Sequence, residues 1–171
     1  MSIEEGIKAP DFILQDENRK DQKLSEYRGT PVLLYFYPKD DTPGCTKEAC
    51  NFRDDYSLYQ EARVVILGVS PDSPEKHTKF REKYSLPFSL LADEEHKVAE
   101  LYGVWALKKS FGREYFGIVR TTFLISPDGL ITKIFKKVRP AEHSAEVLEA
   151  LDELLLSLYF LKMEKWAIYR A

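Results

Sequence analysis

Cysteine is scarce in this sequence. Of 171 residues only two are cysteines, at 45 and 50, too few and too close for the disulfide framework of a small secreted domain, so a reducing cytoplasm is the expected setting. The three histidines, at 77, 96 and 143, are dispersed and lack the short spacings of zinc sites, so they read as solvated helix residues. Neither sign of charge dominates. Lys and Arg total 25 against 28 Asp and Glu, and no basic run is interleaved with aromatics, which sets nucleic acid aside as a partner. No apolar run approaches the ~20 residues that span a bilayer, and the opening MSIEEGIKAPDF lacks the basic and apolar regions of an export signal. A glycine-rich phosphate loop and a G-x-S-x-G elbow are also missing, which leaves nucleotide and serine-hydrolase chemistry without support. What remains, 44% hydrophobic and 31% charged, suits one domain over residues 1–171, long enough to bury roughly 70% of its unfolded surface.

Both cysteines fall in Tyr35 to Tyr56, YFYPKDDTPGCTKEACNFRDDY, directly after an apolar run. Val32 to Tyr37 is strand-like and Pro38 stops it. Thr42-Pro43-Gly44-Cys45 then reads as a helix start, with Thr42 as N-cap and Pro43 at the first position. Cys45 would be third in that helix, among unpaired backbone N–H groups at the positive end of the dipole, a setting that favours thiolate. Ala49, Phe52, Tyr56 and Tyr59 continue an inward stripe from Cys45, and Cys50 lies off it. Five helical residues rise about 7.5 Å and turn about 140°, which separates the two Cα atoms by about 8–9 Å. A disulfide needs about 7 Å or less, so the pair can join only when the first turns of helix unwind.

These residues match a family pattern. Pro38-x-x-x-Thr42-x-x-Cys45 resembles the P-x-x-x-T-x-x-C signature of peroxiredoxins, and Cys50 five residues on resembles the peroxiredoxin Q (bacterioferritin comigratory protein) branch. Tyr102-Gly103-Val104-Trp105, Phe111 to Ile118 and Arg120-Thr121-Thr122-Phe123 agree with it, and the resemblance covers about residues 5 to 155. It implies a thiol peroxidase acting on hydrogen peroxide and alkyl hydroperoxides. Cys45 would be oxidised to sulfenic acid, Cys50 would resolve it as a disulfide, and a thioredoxin-like protein would reduce that disulfide. It also implies that Thr42 bonds thiolate and peroxide, that Pro38 shields the sulfur, and that Arg120 is the active-site cation. No metal, haem or flavin is implied. Two rivals stay open: a thiol–disulfide oxidoreductase, against which C-x-x-x-x-C stands in place of C-x-x-C, and a chaperone or interaction module using the C-terminal tail.

The remaining pattern predicts an α/β chain. Lys8 to Leu14 is extended, Asp16 to Arg19 turns a hairpin, and Leu24 to Gly29 is a short helical piece. A strand at Val64 to Val69, a helix from Ser73-Pro74 to Tyr84, a strand at Phe88 to Leu91 and a helix capped by Asp93 follow. Thr121 to Ser126 and Leu130 to Val138 form a hairpin across Pro127-Asp128-Gly129. The alternation indicates a mixed sheet with helices on both faces, and the resemblance makes it thioredoxin-like, with an N-terminal extension and an extended C-terminal helix. That helix runs through Val147, Leu151, Leu154, Leu158 and Leu161 and adds the apolar stretch 156–171. The first expectation for it is packing on its own domain. A homo-oligomer contact and membrane-surface binding are the alternatives.

Overall fold

The apolar run after Pro31 lies in the middle of a sheet. The computed structural model describes residues 2–170. In chain order it contains β1 (Ile13–Asp16), β2 (Asp21–Lys23), a 3-10 turn (Leu24–Tyr27), β3 (Val32–Phe36), α1 (Pro43–Asp54), α2 (Tyr56–Glu61) and β4 (Val65–Ser70). Next come α3 (Pro74–Tyr84), β5 (Ser89–Ala92), α4 (Lys97–Leu101), β6 (Trp105–Ser110), β7 (Arg113–Ile118), β8 (Thr121–Ile125), β9 (Ile131–Phe135) and α5 (His143–Arg170). Seven strands form one sheet in the order β2-β1-β5-β4-β3-β8-β9. Strands β3, β4 and β5 run parallel, while β1, β2, β8 and β9 pair antiparallel, which is the mixed sheet that the alternation of elements indicates.

Strand β3 is buried along its whole length because both faces of the sheet are covered. Leu33, Tyr35 and Tyr37 join Cys45, Phe52, Phe80, Val147 and Leu151 on the face that holds α1, α3 and α5. Val32, Leu34 and Phe36 join Phe12, Val98, Tyr102 and Phe123 on the other. Each fully buried aromatic here contributes about 1.5–3 kcal/mol relative to exposure. One glycine makes that packing possible. Gly68 pairs with Tyr35 across β3 and β4, and a Cβ on it would meet the Tyr35 ring at 2.8 Å and Leu90 at 2.9 Å.

The structure departs from the sequence expectations in four places. The inward stripe from Cys45 to Tyr59 spans two helices, because the chain bends at Asp55, whose carboxylate accepts a bond from Ser144 Oγ at 2.6 Å. Helix α4 starts only at Lys97, since His96 adopts a left-handed φ of 48°, yet Asp93 still caps it by accepting from the N–H groups of Val98 and Ala99. Residues 105–118 form an additional hairpin, β6–β7, which turns at Phe111-Gly112 with both φ angles positive. The fourth departure is the tail. Helix α5 is buried at His143, Ser144, Val147, Ala150 and Leu151, but every residue from Leu155 to Arg170 is exposed; Leu155 and Leu158 line a groove against Pro31, Ala62 and Leu124, and the rest of this half does not pack on its own domain.

Candidate active site

Sheet order brings the chemistry together. Because β8 lies beside β3 with Phe36 opposite Thr121, the residue preceding β8 sits next to the loop that leaves β3 for α1. That residue is Arg120. Its Nη2 donates to Cys45 Sγ at 3.2 Å, and its Nη1 donates to Glu48 Oε2 at 2.5 Å. Cys45 is the third residue of α1 and is buried. A guanidinium at this distance stabilises negative charge on sulfur and on an oxygen arriving beside it. Gly44 leaves room for the arrangement: a Cβ there would press on Arg120 Nη2 at 3.4 Å.

Glu48 lies one turn beyond Cys45 and is almost wholly enclosed. Burial raises its carboxyl pKa to about 7, against an opposing pull from Arg120. Among the described residues its second oxygen, Oε1, has no hydrogen-bond partner, and neither does the buried hydroxyl of Tyr35. Burial, reinforced by the nearby Glu48 charge, holds the Tyr35 phenol well above the usual range, so it stays protonated.

Thr42 occupies the N-cap position with extended backbone, but its side chain does not cap α1. Its Oγ1 donates instead to the Lys39 carbonyl at 2.8 Å, closing the turn before the helix. The hydroxyl proton is therefore engaged away from Cys45, and Thr42 leaves the first-turn N–H groups uncapped. Those groups remain available to an oxyanion. Pro38 is half-buried at the bend where β3 ends. Cys50 lies further along the intact α1, half-buried, and both cysteines are free thiols.

A family model described as the AhpC/TSA family matches residues 6–134, well over half of the chain. The chain belongs to that family. It is 54% identical over 154 residues to peroxiredoxin Bcp of Bacillus subtilis, covering 90% of this chain and 98% of the relative. The corresponding Escherichia coli protein is 44% identical over 151 residues, covering 88% and 97%. Among solved structures, the Xanthomonas campestris bacterioferritin comigratory protein, studied for its alkyl peroxide reduction activity, superposes with a TM-score of 0.82 at 33% identity. That match covers 88% of this chain and 98% of the other. Peroxiredoxin Q from the same organism gives a TM-score of 0.79 at 35% identity, covering 83% and 90%. This peroxiredoxin is a thiol-dependent peroxidase with a thioredoxin-like fold. The match to the Bacillus relative takes in nearly all of that protein and leaves about a tenth of this chain without a counterpart.

Around the peroxiredoxin site, several residues that sequence reasoning passed over fasten the loop between β3 and α1. The Asp40 carboxylate accepts from Tyr37 Oη at 2.5 Å and lies 2.6 Å from His77 Nδ1, while the Asp40 N–H donates to Asp72 at 2.8 Å. Asp41 accepts from Lys83 Nζ and from Tyr84 Oη, both at 2.7 Å. His77 and His143 are fully buried, which corrects the expectation of solvated histidines; only His96 is partly exposed, stacked on Trp105. His77 Nε2 faces the Leu91 carbonyl at 3.0 Å, and His143 Nε2 pairs with Thr122 Oγ1 at 2.7 Å. Burial holds His143 below the usual histidine range. On the far side of α1, Asn51 Nδ2 donates to the Pro140 and Ala141 carbonyls at 3.3 and 3.0 Å, tying the residue after Cys50 to the start of α5. A signal for Glu48 was present: it is a charged residue three positions from Cys45, on a stripe that otherwise reads apolar.

Proposed function

We propose that Cys45 is the peroxidatic cysteine and Cys50 its resolver, in a domain that spans the chain and bears residues 156–171 as an apolar extension. The observation that carries this reading is the Arg120 guanidinium 3.2 Å from a buried sulfur at the start of α1. Cys45 thiolate attacks the terminal oxygen of hydrogen peroxide or an alkyl hydroperoxide, an S–O bond forms as the O–O bond breaks, and the departing oxygen leaves as water or alcohol after protonation. Arg120 and the open N–H groups of the first turn face the charge that develops on that oxygen. In this reading the Thr42 hydroxyl exchanges its bond to the Lys39 carbonyl for one to the incoming peroxide, and Pro38 limits access of water to the sulfur.

Resolution requires the first turns of α1 to unwind, since both thiols lie on one intact helix. Cys50 then attacks the Cys45 sulfenic acid, water departs, and an intramolecular disulfide forms. A thioredoxin-like dithiol supplies the two electrons and two protons that return it to thiols. Two cysteines, too few for a secreted disulfide framework, fit a reducing cytoplasm.

The test begins with fully reduced protein and one equivalent of hydrogen peroxide under anaerobic conditions. Free thiols and intact mass are measured for wild type and Cys50→Ser. The expected result is loss of both thiols in wild type and accumulation of sulfenic acid in the variant, which then fails to turn over with thioredoxin. Retention of both thiols in wild type would overturn the assignment.

A further inference from the structure

Asp40 and His77 form a second polar centre behind the reactive loop, one that the peroxidase chemistry leaves unused. The His77 side chain is wholly enclosed and that of Asp40 is 5% exposed, so solvent supplies neither with a partner. Both ring nitrogens of His77 face acceptors. Nε2 lies 3.0 Å from the Leu91 carbonyl of β5, which has no proton to give, so Nε2 must carry one. Nδ1 lies 2.6 Å from Asp40 Oδ2. The Tyr37 hydroxyl is 3.5 Å from Nδ1 but 2.5 Å from Asp40 Oδ1, so its single proton goes to the carboxylate. Burial, and then the Asp40 charge, hold that phenol well above its usual range, which keeps it a donor.

A proton therefore has to lie between Nδ1 and Oδ2 as well, because two lone pairs facing each other in a buried site would leave both groups unsatisfied. The carboxylate already accepts from Tyr37 and imidazole is the stronger base, so that proton belongs to the ring. The remaining charges nearby are engaged elsewhere. Asp72 accepts the Asp40 N–H at 2.8 Å and Ser70 Oγ at 2.9 Å, with Lys76 Nζ 3.6 Å from its other oxygen, and one turn along α3 Arg81 pairs with Glu17.

What this pair holds is the approach to the reactive helix. Asp40 stands two residues before Thr42 and five before Cys45, in a loop that turns through Asp41 at a left-handed φ of 56°. Helix α3 grips the loop twice, with His77 on Asp40 from inside and Lys83 and Tyr84 on Asp41 from outside. The outer contacts are exposed and weak, so the buried pair is the firmer hold.

We propose that His77 is a positioning residue for the Cys45 reaction: its imidazolium clamps Asp40 and thereby fixes the turn that delivers Thr42 and the first turn of α1. The proposal rests on the reading of Cys45 as the peroxidatic residue. Asp40→Asn provides a neutral version of the same clamp, since its amide donates to an unprotonated Nδ1 while its oxygen still accepts from Tyr37.

The test uses the reduced full-length chain at pH 7, with nitrogen-15 spectra of the His77 ring and the rate constant for sulfenic acid formation with hydrogen peroxide. Wild type should show protons on both ring nitrogens, and Asp40→Asn a proton on Nε2 alone with a rate within threefold of wild type. His77→Leu and Asp40→Ala should each slow the reaction at least tenfold, and the double variant should be no more than threefold slower than the slower single, because the two residues form one clamp. An unprotonated Nδ1 in wild type overturns the proposal, and this spectrum decides it even where the Leu and Ala variants fold poorly. Smaller losses in the single variants, losses that multiply in the double, or an Asp40→Asn chain as slow as Asp40→Ala also overturn it. Wild type that forms no sulfenic acid would instead overturn the Cys45 reading, and the positioning role with it, whatever the ring spectrum shows.

Discussion

Glu48 gives the sharpest physical test of the site, because its carboxyl is enclosed, shares Arg120 with the Cys45 sulfur, and carries a pKa of about 7 in place of 4.5. A carboxyl whose folded pKa is raised contributes stability that is fully present below the unfolded pKa and is lost as pH rises through the folded one. Taking 4.5 for the unfolded chain and about 7 for the folded one, the lost contribution between pH 5 and pH 8 amounts to roughly 2 to 3 kcal/mol. Little is discounted for solvent screening, since the side chain is buried. The substitution Glu48→Gln keeps the shape and an acceptor for Arg120 Nη1 but cannot ionise. His143, held low by burial, contributes in the opposite direction below its ordinary range, and it does so in both proteins, so the difference between wild type and variant isolates Glu48. Urea unfolding of reduced protein at the two pH values supplies the free energies. The variant should gain roughly 2 to 3 kcal/mol relative to wild type on going from pH 5 to pH 8. An identical pH dependence in the two proteins would refute the reasoning, because it would mean that Glu48 titrates alike in the folded and unfolded chains.

Arg120→Lys replaces a fork that reaches both Cys45 and Glu48 with a single ammonium, so kcat/KM for hydrogen peroxide should fall about 100-fold at saturating reductant, and a change of less than threefold would remove Arg120 from the chemistry. Gly68→Ala forces a Cβ against the Tyr35 ring and Leu90 and should cost about 1–3 kcal/mol in denaturant unfolding; an unchanged midpoint would show that the β3–β4 contact can relax. Asn51→Ala removes two hydrogen bonds that break when α1 unwinds around Cys50, so disulfide closure followed by stopped-flow fluorescence should accelerate about tenfold. A closure rate equal to wild type would mean that unwinding stops short of Asn51.

Local chemistry was legible in the sequence wherever short-range rules decide it. Pro38 and Pro43 bracket the turn into α1, Thr42 takes the cap position, and Ser73 and Pro74 open α3 as their residue types dictate. The five-residue gap between the cysteines alone establishes that they cannot bond within an intact helix. Position in a sheet of mixed direction is another matter. Arg120 is 75 residues from Cys45 in the chain and meets it only because β8 pairs beside β3, and no spacing rule carries that information. His77 and His143 are polar residues on helices, and only the closure of α3 and α5 over the sheet buries them. Glu48 interrupts an apolar stripe in the sequence, but only the closed core encloses it and sets it against Arg120. For the tail the sequence specified an apolar helix and left its partner open, because hydrophobic burial is non-directional and any covering surface satisfies it. The tertiary structure decided that the domain covers little of it, since the buried side of α5 ends at Leu151 and every residue from Leu155 to Arg170 is exposed.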